Sequence, residues 1–273
     1  MYGLLIDLDG TLYHGGKVIS LAPSFIQKLR EDDIPFLFVT NNSSRTPQDV
    51  ANHLNKLGIE AREEEVCTSA LATAQYIVDQ ALGKTVYLIG EKGLKEALKE
   101  KGLRIIEEEE GEGQFEEVAI DLVVQGIDRQ FNYVKLTKAT QFIAQGAAYL
   151  LTNPDHLLPS DELPIPGAGS IAAAIEKATG TQPTIIGKPS PIIIQYAIDK
   201  LLTVHSTLKR ENIIVVGDNI HTDIQAGKNA NLKTAFVLSG ISKMEELKQY
   251  QELQPDIIAN DLLHLEELLK ERI

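Results

Sequence analysis

Strand-like and helix-like segments alternate along nearly the whole chain, and this alternation restricts the fold more than any other feature. Short apolar runs such as Ile213 to Val216 are followed by longer amphipathic segments that begin near proline and end near glycine. Such alternation is typical of proteins in which helices cover both faces of a mostly parallel sheet. We therefore expect an α/β fold with a doubly wound parallel sheet.

The same pattern predicts the individual elements. We expect strands over residues 2–8, 35–39, 65–68, 85–89, 122–125, 148–152, 184–186, 213–216 and 234–238. We expect helices over residues 22–30, 46–57, 69–82, 94–101, 133–144, 170–179, 189–202 and 261–270, and a further helix that carries Asp223, Ala226 and Gly227.

The length of 273 residues favours two domains. The charged, glycine-containing segment 107–117 interrupts the pattern and is expected to form a solvated loop, and the last third resumes the pattern of the first. The simplest division is a Rossmann-like core of residues 1–82 and 180–273, interrupted by an inserted α/β domain of residues 83–179.

Charge and cysteine content limit the partners and the compartment. The net charge of −13 and the lack of a basic cluster argue against nucleic acid or an anionic membrane surface. The single cysteine, Cys67, excludes an internal disulfide and is expected to be a buried apolar residue. With no apolar leader or spanning segment in the sequence, we expect a cytoplasmic protein.

Polar residues directly follow several of the predicted strands, although the packing of a buried strand does not require polar side chains there. Because parallel strands end at one edge of a sheet, these side chains are expected to converge. Carboxylates, a hydroxyl and a lysine together suit a phosphate and Mg²⁺. The residues are Asp7 and Asp9, Thr40 and Asn41, Lys188, and Asp218 with Asp223.

The residue types suggest roles in phosphoryl transfer. Asp7 is the expected nucleophile, since no serine or cysteine is paired with a histidine and an acid. Asp9 is expected to give its backbone carbonyl to the metal and its carboxyl to proton transfer. Lys188, Thr40 and Asn41 are expected to hold phosphoryl oxygens.

Four motifs resemble those of the haloacid dehalogenase-like superfamily. They are DLDGTL from Asp7, VTNNSS from Val39, GKP from Gly187 and GDNIHTD from Gly217. Their order and the long insertion between the second and third are similar to those of NagD-like phosphatases. TNPD from Thr152 and PGAGS from Pro166 add to this likeness.

The resemblance implies an Mg²⁺-dependent phosphatase that forms an aspartyl-phosphate and acts on small phosphorylated metabolites. It makes Asp7, Asp9 and Asp218 the metal-binding residues, leaves Asp223 either supporting the metal or on a helix surface, and leaves a homodimer open. It also places four residues on the substrate side, which are Asn219, Ile220, His221 and Thr222.

Alternatives stay open at this stage. A phosphometabolite sensor that kept the pocket and lost turnover is the competing hypothesis, and a dinucleotide oxidoreductase is a distant third. His14 and His221 lie near the motifs and suit substrate contact or an ordinary surface role. Substrate identity is not encoded in a recognisable motif, although Asn153, Asp155 and residues 158–166 are candidates for specificity.

Overall fold

The computed structural model describes residues 1–106, 119–158, 163–240 and 244–271. The acidic segment 107–117 and part of the 158–166 candidate segment lie outside them. The chain divides into two compact units. The first unit comprises Met1–Thr40, Pro47–Cys67 and Lys188–Ile273, and the second comprises Asn41–Thr46 and Thr68–Gly187.

The described residues alternate between strands and helices, as expected. The strands are β1 (Gly3–Ile6), β2 (Tyr13–His14), β3 (Lys17–Val18), β4 (Phe36–Thr40), β5 (Val66–Thr68), β6 (Thr85–Ile89), β7 (Arg104–Ile106), β8 (Leu122–Gln125), β9 (Ala148–Leu151), β10 (Leu157–Leu158), β11 (Ile165–Pro166), β12 (Thr184–Ile185), β13 (Ile213–Gly217), β14 (Lys233–Val237) and β15 (Ile257–Ala259). The α-helices are α1 (Ala22–Glu31), α2 (Pro47–Lys56), α3 (Ser69–Asp79), α4 (Lys92–Glu100), α5 (Tyr133–Ala144), α6 (Ala168–Thr179), α7 (Pro191–Val204), α8 (Gln225–Asn229), α9 (Met244–Gln249) and α10 (Leu262–Glu271).

The first unit is built on a six-stranded sheet with the order β15-β14-β13-β1-β4-β5. The β1 strand lies at its centre and pairs in parallel with β13 and β4. The β14 strand pairs in parallel with β13 and β15. Since β1 and β13 are neighbours with the same direction, the residues that follow them meet at one edge.

The core of the first unit follows from the two-residue period of its strands. Alternate strand residues, such as Leu4 and Ile6 of β1, form one apolar face that packs against α1, α2 and α10. Ile26, Leu54 and Leu265 are representative of the fully buried helix side chains in this cluster. Burial of apolar surface contributes roughly 25 cal/mol per Å² to stability, so this packing stabilises the sheet whose edge carries the aspartates.

The second unit has its own five-stranded parallel sheet, with the order β12-β9-β8-β6-β7. One face, with Val86 of β6, packs against α3 and α4. The opposite face, with Tyr87 of β6 and Val123 of β8, packs against α5 and α6. Helices therefore cover both faces of this sheet.

The fold class is confirmed, because both sheets are parallel and alternate with helices. The division at residues 83 and 179 stays a prediction. The distribution of strands between the two sheets differs from the prediction, since β12, which was expected within the core, pairs with β9 of the second sheet. Likewise, α3 lies in the second unit. Several elements were not predicted, namely β2, β3, β7, β10, β11, β15 and α9, and most are too short to show a period.

Within the described ranges, no helix has the length and apolar character needed to cross a bilayer.

Candidate active site

Two aspartates follow the two central strands of the first sheet. Asp7 follows β1, and its backbone N–H donates to the carbonyl of Val216 at 2.9 Å, which extends the β1–β13 pairing by one residue. Asp218 follows β13 and is fully buried. Adjacent parallel strands thus place both carboxylates at the same carboxyl edge, as the sequence predicts.

A third carboxylate joins them. Asp7, Asp218 and Asp223 each offer an oxygen, and these oxygens lie within 4.8 Å of one another. The Thr11 hydroxyl lies 3.2 Å from Oδ2 of Asp7 and 3.0 Å from Oδ1 of Asp218. A hydroxyl has one proton, so it donates to one of these carboxylates at a time and links the two.

The Lys188 ammonium group lies among these acids. Its Nζ donates to Oδ1 of Asp7, to Oδ1 of Asp223 at 2.6 Å, and to the carbonyl of Val39 at 3.2 Å. The Lys188 side chain is only 4% exposed. All three N–H bonds of the ammonium group therefore have protein acceptors, and the group is held in one position.

Burial and charge act against each other on these groups. The pKa of Asp7 is raised to about 6, because burial raises it most, Asp218 also raises it, and Lys188 only partly opposes them. Burial and the nearby Asp7 also raise the pKa of Asp223 to about 6, again opposed by Lys188. Burial alone would lower the pKa of Lys188, but Asp223 and Asp7 outweigh it and raise that pKa. The lysine thus stays charged and favours ionised carboxylates.

Two glycines leave the space that Asp218 occupies. A Cβ on Gly10, whose φ is +99°, would lie 2.3 Å from Oδ2 of Asp218. A Cβ on Gly240 would lie 2.0 Å from the same oxygen. Any side chain at either position would displace the Asp218 carboxylate, so both glycines fix the shape of the cluster.

Asp223 lies on a single π-helical turn, Ile220–Ile224, which replaces the ordinary helix that the sequence predicts there. Its Oδ2 accepts the backbone N–H of Asn219 at 3.1 Å. Because its other oxygen accepts from Lys188, both oxygens have protein donors. This geometry supports a role in holding Lys188.

The residues predicted to line the substrate side differ in how far their side chains are exposed. The Asn219 side chain accepts backbone N–H groups of His221 at 2.9 Å and Thr222 at 3.3 Å, which caps the π-helical turn. Ile220 is fully buried in an apolar cluster with Phe236, so its side chain packs in the core, and its predicted contact with substrate stays a prediction. The His221 ring is exposed and meets the Tyr250 ring edge to face at 4.6 Å.

Asp9 and Thr40 lie in the first unit, and Asn41 lies in the second. Asp9 is exposed and begins a tight turn in which the Gly10 N–H donates to the carbonyl of Tyr13 at 2.7 Å. Thr40 is buried at the end of β4. Asn41 belongs to the second unit, where its amide donates to Oδ2 of Asp155 at 3.0 Å. Their predicted contacts with phosphate stay predictions.

His14 makes a contact distant in sequence, and Cys67 is a buried free cysteine. Nε2 of His14 lies 3.3 Å from the carbonyl of Ser239. Cys67 is fully buried, and burial raises the pKa of its thiol to about 11, which makes it a poor nucleophile.

Sequence reasoning assigned no role to Thr11 or Gly240. Thr11 is fully buried in the structure, and a buried hydroxyl calls for a hydrogen-bond partner. The sequence signal is only its position four residues after Asp7, within the DLDGTL motif. Gly240 follows β14 in a stretch without a motif, so nothing in the sequence indicates that it contacts Asp218.

The cluster suits a hard divalent cation. All of its ligand atoms are carboxylate oxygens, which Mg²⁺ and Ca²⁺ prefer over nitrogen or sulfur. The glycines at positions 10 and 240 also keep Asp218 free of steric pressure from the backbone. The residues present therefore fit a divalent metal.

Comparisons with known proteins agree with this geometry. Residues 4–104 match the family model described as haloacid dehalogenase-like hydrolase, and residues 185–265 match a second, HAD-hydrolase-like model. An acid sugar phosphatase of Staphylococcus saprophyticus is 40% identical over 267 residues, which cover 98% of this chain and 96% of that relative.

Solved structures of phosphatases share the fold over nearly the whole length. A double mutant of the thermostable NPPase from Geobacillus stearothermophilus matches with a TM-score of 0.84 and 40% identity, covering 96% of each chain. NagD from E. coli K-12 matches with a TM-score of 0.85 and 33% identity, covering 96% of this chain and 97% of NagD. The chain belongs to the haloacid dehalogenase-like hydrolases, and it is a phosphatase of the NagD type.

Proposed function

We propose that the protein hydrolyses phosphate monoesters of small metabolites with Mg²⁺, through a phosphoaspartate on Asp7. One observation carries this proposal. The Asp7 carboxylate lies at the carboxyl edge of the central strand, in contact with the Lys188 ammonium and beside Asp218. A carboxylate held in that way is a nucleophile with fixed orientation.

Asp7 would attack phosphorus through one oxygen as the bond to the ester oxygen breaks, and the Asp9 carboxyl would protonate that oxygen. Water, deprotonated by Asp9, would then attack the phosphorus of the phosphoaspartate, which releases inorganic phosphate and restores the Asp7 carboxylate. Lys188 lies where a positive charge can stabilise phosphoryl oxygens next to Asp7. Asp223 holds Lys188 in that position through its 2.6 Å hydrogen bond. Thr40, at the end of the strand beside β1, would add a hydroxyl donor.

The metal would be held by the carboxylates of Asp7 and Asp218 and by the backbone carbonyl of Asp9. When bound, Mg²⁺ would neutralise charge between the attacking carboxylate and the phosphoryl oxygens. Thr11 links Asp7 and Asp218 through its hydroxyl and so keeps the two carboxylates in register.

Sugar phosphates are the substrate class that we propose first. The support is the name of the Staphylococcus saprophyticus relative, acid sugar phosphatase. Nucleotides, phosphoglycolate and pyridoxal phosphate are the competing candidates. A screen of these phosphometabolites by kcat/KM decides between them. The proposal would be contradicted if a compound of another class had a kcat/KM at least about tenfold higher than that of every sugar phosphate. A cytoplasmic location and a homodimer stay predictions from the sequence.

The Asp7→Asn variant tests the nucleophile. With p-nitrophenyl phosphate and Mg²⁺, we expect phosphate release to fall by at least about 10³-fold, because an amide cannot attack phosphorus. In the wild-type protein, EDTA should abolish release and added Mg²⁺ should restore it. Borohydride reduction of the reacting enzyme should convert Asp7 to homoserine, which peptide mass spectrometry detects. Wild-type release no greater than that of the variant would favour the non-catalytic sensor.

The Asp9→Asn variant tests the proton-transfer role. We expect it to retain Mg²⁺ and substrate binding, since the proposed metal contact of Asp9 is its backbone carbonyl, while kcat falls about 10²–10⁴-fold. Calorimetric titration with Mg²⁺ and steady-state kinetics measure the two effects separately. Loss of Mg²⁺ binding in this variant would instead make both carboxylates metal ligands.

A further inference from the structure

A polar cluster lies at the carboxyl edge of the second sheet, in the segment that follows β9. This segment, Thr152 to Asp155, is the TNPD motif, which the proposed mechanism of Asp7 does not use. The Asp155 side chain accepts two amide groups through one oxygen, since its Oδ2 lies 3.0 Å from Nδ2 of Asn41 and 2.7 Å from Nδ2 of Asn153. All of these residues belong to the second unit.

A further hydrogen bond sets the orientation of the Asn153 amide. The Thr152 hydroxyl donates to Oδ1 of Asn153 at 2.9 Å, so the amide nitrogen of Asn153 faces Asp155. Thr152 is fully buried, and Asn153 is also buried. The Asp155 carboxylate is therefore held by buried groups on one side, and on the other it orients the amide of Asn41.

Two glycines of the PGAGS motif hold the backbone of Asp155. The Gly169 N–H donates to the Asp155 carbonyl at 2.9 Å. A Cβ on Gly167 would lie 2.2 Å from the same carbonyl oxygen. A side chain at position 167 would therefore push Asp155 away, so the glycine there allows the backbone to approach closely.

Asn41 is held at two further points. The Ser69 hydroxyl donates to the backbone carbonyl of Asn41 at 2.7 Å. A Cβ on Gly187 would lie 2.6 Å from Oδ1 of Asn41 and 2.5 Å from the carbonyl oxygen of Thr152. Gly187 thus lets the Asn41 amide pack against the TNPD segment. The protein itself fixes both the backbone and the side chain of Asn41.

The hydrogen-bond pattern favours one role for Asp155. A carboxylate that accepts two amides through a single oxygen is a fixed acceptor that orients its donors. Orientation matters for a group that holds substrate, because a misplacement of about 1 Å can cost about 10²-fold in rate.

We propose that Asp155 is a positioning residue, which orients Asn41 for its predicted contact with the phosphoryl group. This inference rests on the proposed function, because it needs that contact of Asn41 with phosphate. It gives the TNPD motif a role common to every phosphate monoester, in place of the substrate discrimination for which Asn153 and Asp155 are candidates from the sequence.

A double-mutant cycle tests the proposal. Asp155→Ala should lower kcat/KM for p-nitrophenyl phosphate by about 10–10²-fold, because Asn41 loses its orientation. In the Asn41→Ala background, the same change should lower kcat/KM by less than about twofold, because the group that Asp155 positions is then absent.

Asp79→Ala is the matched control. Asp79 is an exposed aspartate of the same unit that also accepts a side-chain amide, that of Gln75 at 2.7 Å. This variant should leave kcat/KM unchanged. Thermal melts check that every variant is folded.

Three further measurements separate positioning from a structural or a specificity role. Asp155→Asn should restore kcat/KM to within about threefold of wild type, since one carbonyl oxygen can accept both amides. The side-chain ¹⁵N–¹H signals of Asn41, identified by their loss in Asn41→Ala, should shift in Asp155→Ala and stay in place in Asp79→Ala. The loss of kcat/KM in Asp155→Ala should agree within about twofold for p-nitrophenyl phosphate and for the best metabolite of the screen.

Equal losses from Asp155→Ala with and without the Asn41 side chain would overturn the proposal, as would Asn41 signals that do not move. Unequal losses for the two substrates would show discrimination and would also overturn it. Absence of wild-type turnover would contradict the proposed function and this inference with it, whereas full activity of Asn41→Ala in an otherwise active protein would overturn only the inference.

Discussion

The side chains that follow the strands carry a different balance of charge at the edges of the two parallel sheets. At the first, Asp7, Asp218 and Asp223 surround one buried lysine, which leaves a formal charge of −2. At the second, Glu91 and Asp128 each have a basic partner, Arg129 and Lys135. The same topology thus supports an acidic cluster suited to a cation at one edge and two separate ion pairs at the other. The difference lies in the few residues after each strand.

The largest effect should come from removing one lysine at each edge. Lys188→Met leaves the buried carboxylates of Asp7 and Asp223 without their shared partner, and we expect a loss of about 3–5 kcal/mol in the free energy of unfolding. Lys135→Met should cost about 1–2 kcal/mol, because Asp128 keeps the Gln130 N–H at 2.9 Å. Urea unfolding in EDTA measures both without a bound metal. Equal losses would mean that the two edges are alike.

The two edges should also differ, by a smaller amount, in the free energy that a glycine-to-alanine substitution costs. Gly240→Ala places a Cβ 2.0 Å from Oδ2 of Asp218, whereas Gly90→Ala, directly after β6, meets the end of the Leu94 side chain at 2.9 Å. Since Leu94 can move and the Asp218 cluster cannot, we expect a cost of about 1–3 kcal/mol for the first variant and less for the second. The first should also lower kcat/KM for p-nitrophenyl phosphate.

Gly16→Ala is the matched control for the alanine itself, because its Cβ would meet nothing within 4 Å. It should change neither stability nor activity. If Gly90→Ala destabilised the protein as strongly as Gly240→Ala, the edge of the second sheet would be as tightly packed as the acidic cluster.

The sequence predicts the sheet edges better than the contacts made there. Asp7 and Asp218 each follow an apolar strand, and strand order alone brings them together. Lys188 was expected to converge because its strand would lie in the same sheet. That reason was wrong, since β12 pairs with β9 in the second sheet, and Lys188 instead joins Asp7 as part of the first unit.

Non-local packing accounts for the rest. Ile220 lies within a polar motif, yet its side chain is buried beside Phe236, and only the tertiary structure decides this. Gly240 contacts Asp218 although no local pattern connects them. Short strands such as β7 and β15 have three residues each, too few for a period of two to be visible.

The smallest effect concerns the amino ends of the strands, where the two sheets are alike. Asp121 precedes β8, and hydrogen bonds from the backbone N–H groups of Thr85 and Lys84 lower its pKa. Asp256 precedes β15. Partial burial acts to raise its pKa, but hydrogen bonds from Lys228 and Thr234 outweigh burial and lower it. Each sheet thus has one aspartate that joins neighbouring strands at this end.

A lowered folded-state pKa means that each ionised aspartate stabilises the fold above its unfolded value, near about 3.9. This stabilisation is lost as the pH falls through the folded-state pKa. We therefore expect Asp121→Asn and Asp256→Asn each to lower Tm by about 1–3 °C at pH 7, since both groups are largely solvent-screened. The differences from wild type should shrink as the pH falls below about 4 and close below the folded-state pKa. Thermal melts from pH 7 to 2, with the exposed Glu100→Gln as control, measure this, and a difference that does not shrink between pH 4 and pH 2 would mean that the charge is not the cause.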